Sequence, residues 1–295
     1  MQQKRGLNMK NEARFGSAGN PDSFYSQGGK SSLEMPKWLA DIGLNAYEYQ
    51  ASRGVRISAE SAKKLGALAQ QYNVALSVHS PYYINISSTE PEKIEKSLGY
   101  ILSTANAANN MGANRIVVHM GAAINITRKE AMDISKKTVY AALKKMDEQG
   151  LGNVSICPET MGKINQMGTL DEVLELCKLD ERLIPTIDFG HLNSRSLGSL
   201  TKPEDFENVI DKMQAALGEW RAKNFHCHFS KIEYTKGGER KHLTFEDTEY
   251  GPEFEPFAEI MVKHSLTPII ICESAGTQAE DAVAMKQMWQ EWSLK

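Results

Sequence analysis

VALSVHS, residues 74–80, and RIVVHMG, residues 115–121, are short apolar runs that each lead into a histidine. The same cadence returns in VSICPE (154–159), LIPTIDFGH (183–191), FHCHF (225–229) and PIIICE (268–273). His79, His119, Glu159, Asp188, His191, His226 and Glu273 therefore stand at or just past the ends of strand-like runs, the runs recurring at intervals of roughly 30 to 45 residues. Histidines and acids scattered over a surface would keep no such phase with the strands. A fold in which every strand delivers a side chain to one common mouth does, and a parallel barrel is such a fold.

Working outward, apolar runs and helical periodicity divide the chain into eight strand-then-helix units. The strands are expected at Arg14–Ser17, Asn45–Gln50, Val74–Val78, Arg115–Val118, Val154–Ile156, Leu183–Ile187, Phe225–Phe229 and Pro268–Ile271. Helices are expected at Ser32–Ile42, Ser58–Tyr72, Glu90–Met111, Arg128–Gln149, Thr169–Lys178, Pro203–Leu217, Phe254–Ser265 and Gln278–Trp292. Ser58 reads as an N-cap, Gly112 as a C-cap, and Pro203 with its following acids as a helix start. A Gly/Pro/Ser-rich loop runs to Gly29, and Ser230–Pro252 reads as a long irregular stretch. Eight alternating units without a low-complexity linker predict a single (β/α)8 TIM barrel over residues 13–295, with a metal site at the C-terminal ends of its strands.

Residues 1–12 are polar and charged and are expected to form a flexible leader; Met9 is a possible second start. No segment has the length and apolarity of a membrane span, so a cytoplasmic, monomeric protein without a membrane partner is expected. The net charge of −3 supplies no global attraction for nucleic acid, which would have to be held by a local patch. Cys157, Cys177, Cys227 and Cys272 lack the spacing of a zinc knuckle and read as buried thiols.

Imidazoles and carboxylates are the ligands of divalent zinc, which acidifies bound water to a pKa of about 7. At least three histidines and three acids at one mouth exceed the needs of one ion. A cluster of two or three metals follows, with Glu159 suited to bridge a pair. Ions about 3.5 to 4 Å apart can hold both the attacking and the leaving oxygen of a phosphodiester.

At these residues the chain resembles the endonuclease IV family of zinc-dependent abasic-site endonucleases, within the xylose-isomerase-like barrel superfamily. The matching stretches are VHSPYYIN (78–85), VVHMG (117–121), CPETMG (157–162), TIDFGH (186–191), HCHFSK (226–231) and ICES (271–274). The resemblance implies that His79, His119 and Glu159 hold one zinc, and that Glu159 bridges to a second held by Asp188, His226 and Glu273. Glu159 and Glu273 would be the catalytic carboxylates. The family's third zinc uses the histidine of a DxxH, here His191, with the aspartate and histidine of a later DxH. His242 fits that second histidine, whereas Arg240 falls on the aspartate and cannot serve; its neighbour Glu239 can serve only after a local shift. Two or three zinc ions are thus implied.

A second departure is His228, where the family has an uncharged polar residue. His226 and His228 point to the same side of a strand and either could ligate; the five-residue distance from His226 to Lys231 matches the family and favours His226. The implied reaction is hydrolysis of double-stranded DNA 5′ to an abasic sugar in base-excision repair. Tyr82 and either Arg53 or Arg56 would then contact DNA, and Lys231 would neutralise a phosphate or pair with an acid.

Two other readings share the barrel. A sugar isomerase or epimerase needs one Mn²⁺ or Mg²⁺ held by two glutamates, an aspartate and a histidine, which Glu159, Glu273, Asp188 and His226 supply, with a small sugar as substrate. The surplus histidines favour the nuclease; the slight net acidity and Arg240 favour the isomerase. A non-catalytic metal-binding or nucleic-acid-binding barrel is the third reading.

Overall fold

The computed structural model describes residues 12–295, so the expected flexible leader and the possible start at Met9 lie, Glu12 apart, outside the described residues. Among the described residues there are ten strands: β1 (Arg14–Ala18), β2 (Ala46–Gln50), β3 (Ala75–His79), β4 (Arg115–Val118), β5 (Ser155–Pro158), β6 (Thr186–Asp188), β7 (His226–Phe229), β8 (Ile232–Thr235), β9 (Gly238–His242) and β10 (Ile269–Cys272). Eight of them pair in parallel in the order β5-β4-β3-β2-β1-β10-β7-β6. The two edges meet where the Ile184 amide donates to the Ile156 carbonyl at 3.2 Å and the Thr160 amide to the Thr186 carbonyl at 3.0 Å. The result is the expected (β/α)8 barrel.

The helices are α1 (Asp22–Ser26), α2 (Met35–Asp41), α3 (Ala59–Gln71), α4 (Pro91–Met111), α5 (Arg128–Glu148), α6 (Leu170–Cys177), α7 (Phe189–Arg195), α8 (Pro203–Leu217), α9 (Glu219–Lys223), α10 (Glu255–Lys263) and α11 (Gln278–Ser293). Local chemistry sets their ends. Ser58 caps α3 by accepting the Ser61 amide at 3.1 Å, and Ala62, Leu65 and Ala69 bury one face of that helix. Gly112 ends α4 in the left-handed region, at φ +68°. Thr127 with Glu130, and Thr169 with Glu172, form capping boxes that start α5 and α6. Among the described residues no helix is long and apolar enough to cross a membrane.

Alternation along each strand decides what lies inside the barrel. The interior holds two small apolar groups, Ala18, Ala46 and Ile271 with Ile269, and Val117, Cys157 and Ile184. Arg115, also buried, reaches across to donate to the carbonyls of Phe225 and Asn224 at 3.1 and 2.6 Å. The main core lies outside the strands, between sheet and helices, where Phe189, Phe206, Phe225, Phe229, Phe254 and Phe257 pack together. All four cysteines are buried and unpaired, as expected.

Three departures from the expected elements bear on the mouth. The stretch 230–252 is not wholly irregular: β8 and β9 form an antiparallel hairpin with a register shift at Glu233/Tyr234. The Gly237-Gly238 pair was its available signal, but the flanking strands are short and polar and carry little hydrophobic alternation. Strand β6 is only Thr186–Asp188, and α7 follows at once, capped by Asp188. Short helices α1 and α9 lie in segments read as connections.

Candidate metal centre

Each side chain of the mouth arrives on the carboxyl end of a strand or just beyond it. β3 ends in His79, β4 leads to His119, β5 to Glu159, β6 ends in Asp188, β7 carries His228 and β10 leads to Glu273. The Asp188 carboxylate accepts the His191 amide at 2.7 Å, so the DxxH is a helix N-cap that also turns the imidazole inward. The β8–β9 hairpin contributes Glu239 and His242 from above.

Glu159 is the hub. Its Oε2 lies 3.0 Å from His119 Nε2 and 3.5 Å from His79 Nε2, and its Oε1 lies 2.9 Å from His228 Nδ1. His79 Nδ1 is 2.7 Å from the Ser80 carbonyl and His191 Nδ1 is 2.8 Å from the Thr160 carbonyl, and a carbonyl can only accept. Both imidazoles therefore donate from Nδ1 and aim Nε2 into the cluster, His79 towards Glu159 and His191 towards Glu239 at 3.5 Å. Ligand atoms of four sets lie within 4.8 Å of one another: His79, His119 and Glu159; Glu159, Asp188, His228 and Glu273; Glu48, His79, His228 and Glu273; and His191, Glu239 and His242.

The donor set fits divalent cations. Among the described residues Glu159 Oε2 and Asp188 Oδ2 are buried without a hydrogen-bond partner, a cost that a coordinated ion would remove. Burial opposes charge on Glu159 and Glu273, yet His228 holds Glu159 well below the usual carboxylate range and Glu273 down to about 2. Asp188 is pushed up to about 6 by burial. Burial also opposes charge on His79 and His191, but the surrounding acids together outweigh it, Glu159 foremost for the first and Asp188 foremost for the second, and both rise to about 9.

A pH dependence follows from these two histidines. With folded values above the ordinary 6.5, their protonation stabilises the metal-free protein fully below about pH 6.5, and that contribution fades as pH rises through about 9. A cation needs the same nitrogens deprotonated, so affinity for a divalent cation is expected to climb between pH 6.5 and 9, with release of protons on binding. Calorimetric titration in two buffers of different ionisation enthalpy counts those protons. An affinity flat across that range would contradict the assignment.

The structure brings together His79, His119, Glu159, Asp188, His191, His242 and Glu273. The sequence favoured His226 over His228. His226 lies two residues deeper along the strand, with Nε2 2.8 Å from Glu48, and belongs to none of the four sets; His228 takes its place in two of them. Arg240 turns outward to pair with Glu233, while Glu239 faces His191, which is the local shift that the sequence left open. Lys231 is 4% exposed, and its ammonium donates to the Asp247 carbonyl at 2.7 Å and to Glu253 at 2.6 Å. It pins the loop after the hairpin and pairs with an acid rather than facing the cleft. Glu48 was missed altogether; an acid flanked by two tyrosines mid-strand, in AYEYQ, was the available sign.

Two glycines seat the hairpin. A Cβ on Gly238, whose φ is +89°, would fall 2.2 Å from the Gly162 carbonyl oxygen, and one on Gly162 would fall 2.6 Å from Glu239 Cβ. Gly238→Ala is expected to lift Glu239 and His242 away from His191 and, if that set holds a divalent cation, to lower metal stoichiometry by one. Metal analysis of the purified variant after equilibration with zinc checks this; full stoichiometry would refute it.

Between these walls lies a cleft of about 290 Å³, floored by the histidines and acids and edged by Gln50, Ser52, Tyr82, Met161, Lys163 and Gln166. Tyr82 is 58% exposed at its rim, and Arg53 and Arg56 are exposed on the loop after β2.

A parallel barrel with a cluster of buried imidazoles and carboxylates at its carboxyl mouth defines the class as a TIM barrel with a candidate metal site. The chain belongs to the xylose isomerase-like TIM barrel family, whose model matches residues 36–291. It is 32% identical to an uncharacterized protein of Methanocaldococcus jannaschii over 92% of this chain and 95% of that one. It is 29% identical to the probable endonuclease 4 of Mycoplasma pneumoniae, a match that spans 56% of this chain and 57% of the relative, about half of each. Among solved structures, endonuclease IV from Thermus thermophilus superposes with a TM-score of 0.66 at 17% identity, covering 95% of this chain and 98% of that one. A D-tagatose 3-epimerase-like protein does so with a TM-score of 0.65 at 19% identity, covering 95% and 96%. Both show the shared fold.

Proposed function

We propose that this chain is a metal-dependent phosphodiesterase that hydrolyses DNA 5′ to abasic sites, a base-excision repair activity, with zinc as the cation. The observation that carries the reading is the third set, His191, Glu239 and His242, which stands beside the two sets joined through Glu159. A one-metal sugar enzyme has no use for it. The partial similarity to endonuclease 4 proteins supports the same direction.

In this reading His79, His119 and Glu159 hold one cation, Glu159 with Asp188, His228 and Glu273 a second, and His191, Glu239 and His242 a third. When bound, such cations supply Lewis acidity, acidifying water and drawing charge from a phosphodiester. The residues of the chain do the rest. Glu159 and Glu273, kept ionised, balance the charge and fix the spacing of the site. Ser80 and Thr160 carbonyls orient His79 and His191. Tyr82 offers a stacking face at the rim for an unpaired nucleotide, and Arg53 and Arg56 lie where a DNA backbone would run.

A sugar epimerase is the second reading, favoured by one observation: Glu159, Asp188, His228 and Glu273 form a complete four-ligand set by themselves. Mn²⁺ or Mg²⁺ would then be the ion. Incubation with a duplex carrying one synthetic abasic site, with and without a chelator, separates the two. Chelator-sensitive incision supports the nuclease. Absence of incision at every zinc loading, together with ketose epimerisation, would overturn it.

A further inference from the structure

The two histidines of β7 are both fully buried, both point into the barrel, and only one joins the candidate metal sets. Glu48, from the middle of β2, stands between them. Its Oε2 accepts from Ser77 Oγ and from His226 Nε2, each at 2.8 Å. Its Oε1 accepts from Gln50 at 3.3 Å and lies 3.0 Å from His228 Nε2, an approach bent off the hydrogen-bond line. The opposite edge of the His228 ring faces outward, with Nδ1 2.9 Å from Glu159 Oε1 and 3.4 Å from Glu273 Oε2.

We infer that Glu48 is the positioning residue that divides the duties of the HxH pair. It ties His226 back as a hydrogen-bond donor and holds the retained proton of His228 on Nε2, so that the Nδ1 lone pair is presented to the cation shared with Glu159, Asp188 and Glu273. The inference rests on the reading of those residues as cation ligands. Glu48 is also a member of one candidate set, with His79, His228 and Glu273, but it is not itself a ligand by its bonding: donors already engage both of its oxygens, whereas Glu159 Oε2 and Asp188 Oδ2 have no hydrogen-bond partner among the described residues. A carboxylate behind a ligating imidazole fixes its tautomer and raises its basicity, and its removal typically weakens metal binding about 10- to 100-fold.

The test reads metal binding and tautomer without any substrate. Zinc affinity is measured by competition with a chromophoric chelator, and the protonated ring nitrogen of His228 by long-range ¹⁵N NMR of the zinc-loaded full chain. The wild-type protein is expected to show His228 protonated at Nε2, and Glu48→Gln, which keeps the volume but loses the charge, to bind zinc about 10- to 100-fold more weakly with that signature lost. Unchanged affinity and tautomer in Glu48→Gln would overturn the inference. A second pair tests the same division without touching Glu48: His228→Asn is expected to lower zinc stoichiometry by one and His226→Asn to preserve it. The reverse pattern would also overturn it. Since DNA takes no part in these measurements, a wild-type protein that binds zinc in the expected Glu48-dependent way yet leaves abasic duplex intact would defeat the phosphodiesterase reading alone. A wild-type protein that binds no divalent cation would defeat both.

Discussion

Glu159→Gln is expected to lower incision of an abasic duplex by about three decades or more, because loss of several kcal/mol of transition-state stabilisation from cation binding translates into that factor. The carboxylate belongs to two candidate sets, and its two oxygens lie within 3.6 Å of four imidazoles, those of His79, His119, His191 and His228. Glutamine preserves the shape but offers one acceptor oxygen and no charge, so neither set keeps its full donor complement. In chelator the variant also loses the charge that partners the buried His79 and His228, so its thermal stability is expected to fall as well. Single-turnover incision kinetics and metal analysis of the same preparation check the two halves. Wild-type zinc content with wild-type incision would remove Glu159 from the centre of the site.

Gly16→Ala is expected to destabilise the barrel by about 3 kcal/mol or more, at or beyond the upper end of ordinary overpacking, and to appear largely in the insoluble fraction. A Cβ at this position would fall 1.7 Å from the Ala46 carbonyl oxygen and 2.2 Å from its carbon. These are backbone atoms of the adjoining strand, where Gly16 pairs with Ala46, and no side-chain rotation can clear them. Relief would require β1 and β2 to part, and β2 carries Glu48. Chemical denaturation of whatever soluble variant is recovered measures the loss; a midpoint equal to wild type would show that the barrel wall yields more easily than its pairing implies.

The strand ends were legible in the sequence because the ligand-type residues fall in register with apolar runs. His79, His119, Glu159, Asp188 and Glu273 could each be placed at the mouth from that phase alone. Side-chain alternation puts His226 and His228 on one face but is silent on height along the barrel axis, and height decides which imidazole reaches the carboxylates. Glu48 escaped notice for a related reason: an acid among tyrosines looks like an edge or surface residue until its strand is known to be enclosed, with Ser77 and two histidines arriving from other strands. Arg240 and Glu239 are adjacent in sequence and point opposite ways, and the register shift in the hairpin together with the close Gly162–Gly238 contact determined which of them faces His191.

For Lys231 the sequence left open a phosphate contact or an acid partner, and its ammonium meets the Asp247 carbonyl and the Glu253 carboxylate, residues separated from it by the hairpin. Sequence by itself determined the alternation of strands and helices, the capped helix ends and the chemistry gathered at the mouth, because these depend on periodicity and on neighbours a few residues apart. Only the tertiary structure decided which histidine of β7 is a candidate ligand, which hairpin residue completes the third set and which carboxylate stands behind it. Those outcomes depend on distances between strands far apart in the chain, which are set by barrel closure and by the close approach of backbones at glycine, not by any local pattern.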